Sequence, residues 1–178
     1  MSRTLSAVAH EVRGELVGDD TEFGAVSIDS RELESGSLFI AIPGEQFDGN
    51  DFLADAHLKG AAGAVVSRLV SIPLPQVKVV DTRGAFGQIA HAWRKNFPMP
   101  VVAVTGSNGK TTVKELIASI LSSGRNICVT RGNLNNDIGV PLTLMELRET
   151  HEALVIELGA NHPGEIDYLS RLVQPTVG

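Results

Sequence analysis

Val101-Val-Ala-Val-Thr-Gly-Ser-Asn-Gly-Lys-Thr-Thr112 sets a short apolar run before a glycine-rich turn and a lysine–threonine pair. The run reads as a buried strand, and Lys110-Thr111-Thr112 opens a helix. That order is what a phosphate cradle needs. Glycines let backbone N–H groups approach an oxyanion, and the helix N-terminus adds its positive dipole end. The lysine then reaches the outer phosphates, and the hydroxyl after it can hold Mg²⁺. Thr105, Gly106, Ser107, Asn108, Gly109, Lys110, Thr111 and Thr112 are therefore the expected binding residues for a nucleoside triphosphate, with Lys110 set against its outer phosphates. The fit to G-x-x-x-x-G-K-[ST] is partial: a glycine is required at Val104, and the first one comes at Gly106. The loop is a shortened variant, T-G-S-N-G-K-T. The alternative is an ordinary turn feeding a helix.

Outward from this stretch, a chain of 178 residues holds one average domain or two small ones. A hydrophobic share of 43% with only 4% aromatics suits an α/β core of Val, Ile, Leu and Ala. The net charge of −6 argues against a nucleic-acid partner. No apolar run is long enough to span a bilayer, so no membrane insertion is expected. The first residues also lack the layout of a signal peptide. Cys128 is the only cysteine, which excludes an internal disulfide and fits a cytoplasmic location. Its setting in a strand-like run marks it as a small buried hydrophobe.

Two prolines in Phe97-Pro-Met-Pro100 end a helical run over Arg83–Asn96 and divide the chain into residues 1–98 and 99–178. The first part reads as a small α/β domain. Helical spacing covers Thr4–Glu15 and Asp51–Lys59, with strand-like runs at Gly24–Asp29, Ser37–Ile42, Ala64–Ser67 and Val77–Val80. In the second part strands at Val101–Val104, Ile127–Thr130 and Ala153–Leu158 alternate with helices at Lys110–Ser122, Ile138–Leu147 and Pro163–Leu172. Such alternation predicts a P-loop domain with a parallel sheet, binding ligands at the carboxyl ends of its strands. Three strands leave that sheet half built where Val173-Gln-Pro-Thr-Val-Gly178 leads toward another, so the second domain is expected to be cut partway.

Glu157 ends the third strand on the rim that carries the loop, where a carboxylate can ligate Mg²⁺ opposite Thr111. Its other reading is a cap on a helix or turn. Gly132-Asn-Leu-Asn-Asn-Asp137 offers either turn formers or neutral amides for a polar ligand. His162, in the loop after the third strand, is a substrate contact or simply solvated.

Thr105-Gly-Ser-Asn-Gly-Lys-Thr-Thr-Val-Lys-Glu115, Gly132-Asn-Leu-Asn-Asn-Asp-Ile-Gly-Val-Pro141 and Ile156-Glu-Leu-Gly-Ala-Asn-His162 together resemble the Mur ligase family. The loop variant alone would mark only the wider family, which includes folylpolyglutamate synthase; the two later blocks narrow the likeness. In the first half Asp29-Ser-Arg31, Gly36-Ser-Leu-Phe-Ile-Ala41 and Gly44-Glu-Gln-Phe-Asp-Gly49 resemble the family's UDP-binding domain. The resemblance implies three domains in the parent: one for the UDP-sugar, a central ATPase and a C-terminal domain absent here. It implies an ATP-dependent ligase, a cytoplasmic monomer that joins D-alanyl-D-alanine to UDP-N-acetylmuramoyl-tripeptide through an acyl phosphate in peptidoglycan synthesis. Ser30 and Arg31 would meet the nucleotide sugar, since a guanidinium fork suits a diphosphate. Arg31 paired at the surface with Glu32 or Glu34 is the competing reading. Asn133, Asn135 and Asn136 would face the peptide, and Thr111 and Glu157 would hold Mg²⁺. Residues 1–178 alone are expected not to ligate, because closure of a third domain excludes water from the acyl phosphate. A non-catalytic UDP-sugar or nucleotide-binding module, or another ligase of this wider family, are the alternatives.

Overall fold

A computed structural model describes residues 3–44 and 46–178. Glu45, part of the Gly44–Gly49 block, lies outside the described residues. The chain forms two compact units, Met1–Ile89 and Ala90–Gly178.

In the first unit β1 (Arg3–Thr4) leads into α1 (Leu5–Val12), followed by β2 (Glu15–Val17), β3 (Glu22–Phe23), β4 (Ala25–Ser27) and β5 (Ser37–Ile40). A 3₁₀ turn (Gly49–Phe52) runs into α2 (Leu53–Leu58), then come β6 (Gly63–Val66), β7 (Gln76–Lys78) and α3 (Thr82–Arg94), within which the two units divide. The sheet has the order β2-β7-β6-β5-β4; β4 to β7 run parallel and β2 is antiparallel to β7. β1 and β3 form a separate ribbon.

Helices cover both faces, so β5 and β6 are buried along their whole length. Phe39, Ala64 and Val66 pack with Leu53 and Ala56 of α2. On the other face Leu5 of α1 comes so close to Gly63 that a Cβ there would lie 2.6 Å from its Cδ1.

The helix expected over Thr4–Glu15 is shorter, because its last turn is closed early. Thr4 caps its start by accepting from the Ala7 N–H at 3.3 Å. Arg13 ends it in the left-handed region at φ 52°. Glu15 then belongs to β2, brought so close to β7 that a Cβ on Gly14 would lie 2.8 Å from the Lys78 carbonyl oxygen. β1, β2 and β3 have two or three residues each, too short for a period to register in the sequence.

The second unit contains β8 (Val101–Val104), α4 (Lys110–Ser122), β9 (Ile127–Val129), α5 (Gly139–Met145), β10 (Ala153–Glu157) and α6 (Glu165–Val173). The three strands are parallel in the order β8-β10-β9. β10 is therefore central, and all five of its residues are buried. Val101, Ala103, Cys128, Leu154 and Ile156 pack with Val140 and Leu144 of α5, Leu169 and Leu172 of α6, and Trp93 of α3. Trp93 meets Phe97 edge-on at 5.2 Å and donates its Nε1–H to Leu147 O.

The outer edge of β8 is not bare. Val177 makes a parallel bridge to Val102, and the Ala103 N–H donates to Val177 O at 2.9 Å. Cys128 is buried, and burial pushes its thiol up to about 11, as expected of a packing residue. Among the described residues no helix is long and apolar enough to cross a membrane.

Since Ile156 is fully buried in the central strand, Ile156→Ala should cost about 2–5 kcal/mol of stability. Urea unfolding measures it, and a loss below about 1 kcal/mol would contradict the packing described.

Candidate functional site

β8 ends at Val104, and the exposed loop Thr105–Gly109 carries the chain into α4. Two glycines make that turn: Gly106 at φ 144° and Gly109 at φ 75°, the latter capping α4. A side chain at either position would be strained. The first-turn N–H groups of a helix have no intrahelical acceptor, so those of α4 face the rim. Lys110 Nζ reaches back over the loop to Gly106 O at 2.8 Å. The shortened loop thus has the strand, turn and helix order its sequence predicts.

Parallel pairing sets Glu157 beside Val104, the last residue before the loop. Thr111 Oγ1 donates to Glu157 Oε2 at 2.9 Å, so the two expected metal ligands meet. Glu157 is only 2% exposed. Its other oxygen accepts from Asn135 Nδ2 at 2.8 Å, and its backbone N–H donates to Thr130 Oγ1 at 2.9 Å. Among the described residues no lysine or arginine pairs with it. A buried carboxylate held only by neutral donors is an unusual arrangement, because burial penalises its charge.

The asparagines divide their tasks. Asn135 reaches Glu157, and its backbone accepts from the Gly159 N–H at 2.8 Å. The approach is close enough that a Cβ on Gly159 would lie 2.7 Å from Asn135 Cγ. Asn136 Oδ1 instead caps the start of α5, accepting from the Ile138 and Gly139 N–H groups at 3.2 and 2.8 Å. Asn133 is exposed. His162 is exposed as well, and its backbone N–H donates to Glu165 Oε2. Thr130 had no distinguishing signal in the sequence; it stands at the end of an ordinary strand run.

In the first unit Ser30 and Arg31 line a cavity of about 540 Å³ with Asp29, Phe39, Phe47 and Phe52. Phe47 is 66% exposed and meets Phe52 edge-on at 6.2 Å. Ser30 is buried. The partner of Arg31 is neither Glu32 nor Glu34 but Asp29, two residues back. Arg31 Nε and Nη2 donate to the two Asp29 oxygens at 2.9 and 2.6 Å, and the Arg31 backbone N–H adds a bond at 2.8 Å. The chain turns just there, so an i, i+2 pair meets. The guanidinium and amide hydrogen bonds hold the Asp29 carboxyl down at about 2.

The strand–loop–helix and the carboxylate opposite its threonine make the second unit a P-loop α/β domain. Residues 104–178 match the Mur ligase middle domain, and residues 22–94 match the Mur ligase family catalytic domain. The chain belongs to the Mur ligase family. It is 50% identical over 175 residues to the UDP-N-acetylmuramoyl-tripeptide–D-alanyl-D-alanine ligase of Escherichia coli K12, covering 98% of this chain and 39% of that protein. The crystal structure of MurF from Acinetobacter baumannii superposes with a TM-score of 0.92 at 44% identity, covering 98% of this chain and 40% of that one. MurF from Thermotoga maritima, in complex with ADP, gives 0.78 at 34% identity, covering 85% and 35%. The chain spans about two-fifths of the length of the curated relatives it matches.

A folded-state value of about 2 for Asp29, against an ordinary 3.8, means its contribution to stability is complete above pH 3.8 and is lost as pH falls through 2. A carboxyl ¹³C titration should place the Asp29 midpoint well below the ordinary 3.8. A midpoint near 3.8 would contradict the Arg31 pairing.

Proposed function

We propose that this chain forms the UDP-sugar-binding domain and part of the ATP-binding domain of a ligase that joins D-alanyl-D-alanine to UDP-N-acetylmuramoyl-tripeptide in peptidoglycan precursor synthesis. The observation that carries the reading is the buried Glu157 carboxylate facing Thr111 beside the loop. The relatives that match nearly the whole chain are ligases of that name.

In this reading the loop N–H groups and the start of α4 bind the ATP phosphates, and Lys110 swings from Gly106 O to neutralise the transferred group. Thr111 and Glu157 suit Mg²⁺, whose preference is for hard oxygens. Mg²⁺ takes few protein ligands and completes its shell with phosphates and water, so the two oxygen ligands that meet at 2.9 Å fit it. Bound there, it would draw charge from the phosphate oxygens. Transfer to the tripeptide carboxylate forms an acyl phosphate and ADP; attack by the D-alanyl-D-alanine amine then releases phosphate and leaves the amide. Asn133 is free to contact the peptide, whereas Asn135 and Asn136 act first as supports of the rim. The Ser30–Arg31 cavity would take the UDP end, with Phe47 offering an exposed ring to the base. Such a reaction belongs in the cytoplasm, where ATP is available, and it asks for no second copy of the chain.

Titration of Mg-ATP into this chain should show Lys110→Ala binding at least about tenfold more weakly, or roughly 1.4 kcal/mol. Equal affinities would remove Lys110 from the phosphate site. For the protein as its organism makes it, phosphate release from ATP should require both the UDP-tripeptide and D-alanyl-D-alanine. Release that is indifferent to the dipeptide would overturn the assignment.

A further inference from the structure

Lys114 stands one helical turn beyond Thr111 on α4, with no exposure of its side chain. Its Nζ donates to Thr130 O at 2.9 Å and pairs with Glu115 Oε1 at 2.8 Å. Glu115 is itself 64% exposed, so its carboxylate only partly offsets the cost of burying an ammonium. A methionine would fill a similar volume with no charge to desolvate. The position of Thr130 shows what the lysine does there.

Regular β9–β10 pairing ends at Val129 opposite Val155. Thr130 adds one more main-chain bond, its N–H donating to Val155 O at 3.0 Å. Beyond that no strand continues, and the Glu157 N–H finds the Thr130 hydroxyl in place of a carbonyl. Val104 O holds the strand end on the β8 side through the Leu158 N–H, and Thr130 holds the Glu157 backbone on the β9 side. Lys114 holds Thr130 from the helix side. Thr111 on the same helix holds the Glu157 carboxylate. The four residues close a ring: Thr111 to Glu157, Glu157 to Thr130, Thr130 to Lys114, and back along α4.

We propose that Lys114 is a positioning residue for the divalent cation at Glu157, acting through Thr130 to hold that carboxylate at a set distance from Thr111. The proposal rests on the nucleotide and Mg²⁺ reading above. Partners that orient a ligand without touching the metal commonly change metal affinity by about 10- to 100-fold when removed.

The test uses this chain with ADP and Mn²⁺ as the probe, reading free Mn²⁺ by electron paramagnetic resonance. ADP affinity in EDTA and the melting temperature are measured in parallel. Lys114→Met should weaken Mn²⁺ retention by about tenfold or more, with metal-free ADP affinity unchanged. Thr130→Val, which keeps the backbone carbonyl but removes the hydroxyl, should reproduce that loss, and Thr130→Ser should not. If Lys114→Met does not fold, the two Thr130 variants decide: equal Mn²⁺ affinity in valine and serine forms overturns the proposal. So does a folded Lys114→Met with wild-type Mn²⁺ affinity, or one losing metal-free ADP binding to the same extent. Wild-type protein that retains ADP but no Mn²⁺ overturns the metal reading as well, which separates the two failures.

Discussion

The parallel pairing of β10 between β8 and β9 is the constraint on which the second unit depends. A strand with neighbours on both sides and helices over both faces must be apolar throughout, and Ala153 to Ile156 meet that demand. Chemistry is then confined to the rim where the strands end. The register does the rest: Glu157 follows the apolar run, stands beside Val104 and faces the loop that Val104 begins. A shift of one residue would turn the carboxylate to the opposite face of the sheet.

Charge in the interior of this unit is tolerated where hydrogen bonds converge on it. Glu157 has the Thr111 hydroxyl and the Asn135 amide. Arg94 is buried too, and its guanidinium donates to Val173 O and Phe97 O. Carbonyls at the end of α6 carry the negative end of the helix dipole, which suits a cation. Each buried charge thus ties together elements far apart in sequence.

The first unit relies on shorter-range devices. Thr4 and Arg13 delimit α1 at its two ends, and the Asp29–Arg31 fork closes within a three-residue turn beside the cavity. That fork leaves Arg31 pre-paired. Its side chain is 87% exposed, so the pairing orients the guanidinium without withdrawing it from a ligand.

The sequence by itself determined the loop, its glycines, the alternation of strands and helices, and the strand end that carries Glu157. These are local properties: periodicity and turn chemistry act over a few residues, and motif spacing is covalent. Tertiary structure alone decided that β10 lies in the middle, that the Thr130 hydroxyl completes its ladder, and that Asn135 reaches Glu157 while Asn136 caps α5. It also gave Arg31 its partner and α1 its early stop. A pattern of apolar residues says which face is buried, but not which strand lies next to it. Nor does it say which of two asparagines one residue apart will turn inward; that follows from packing between segments distant in the chain.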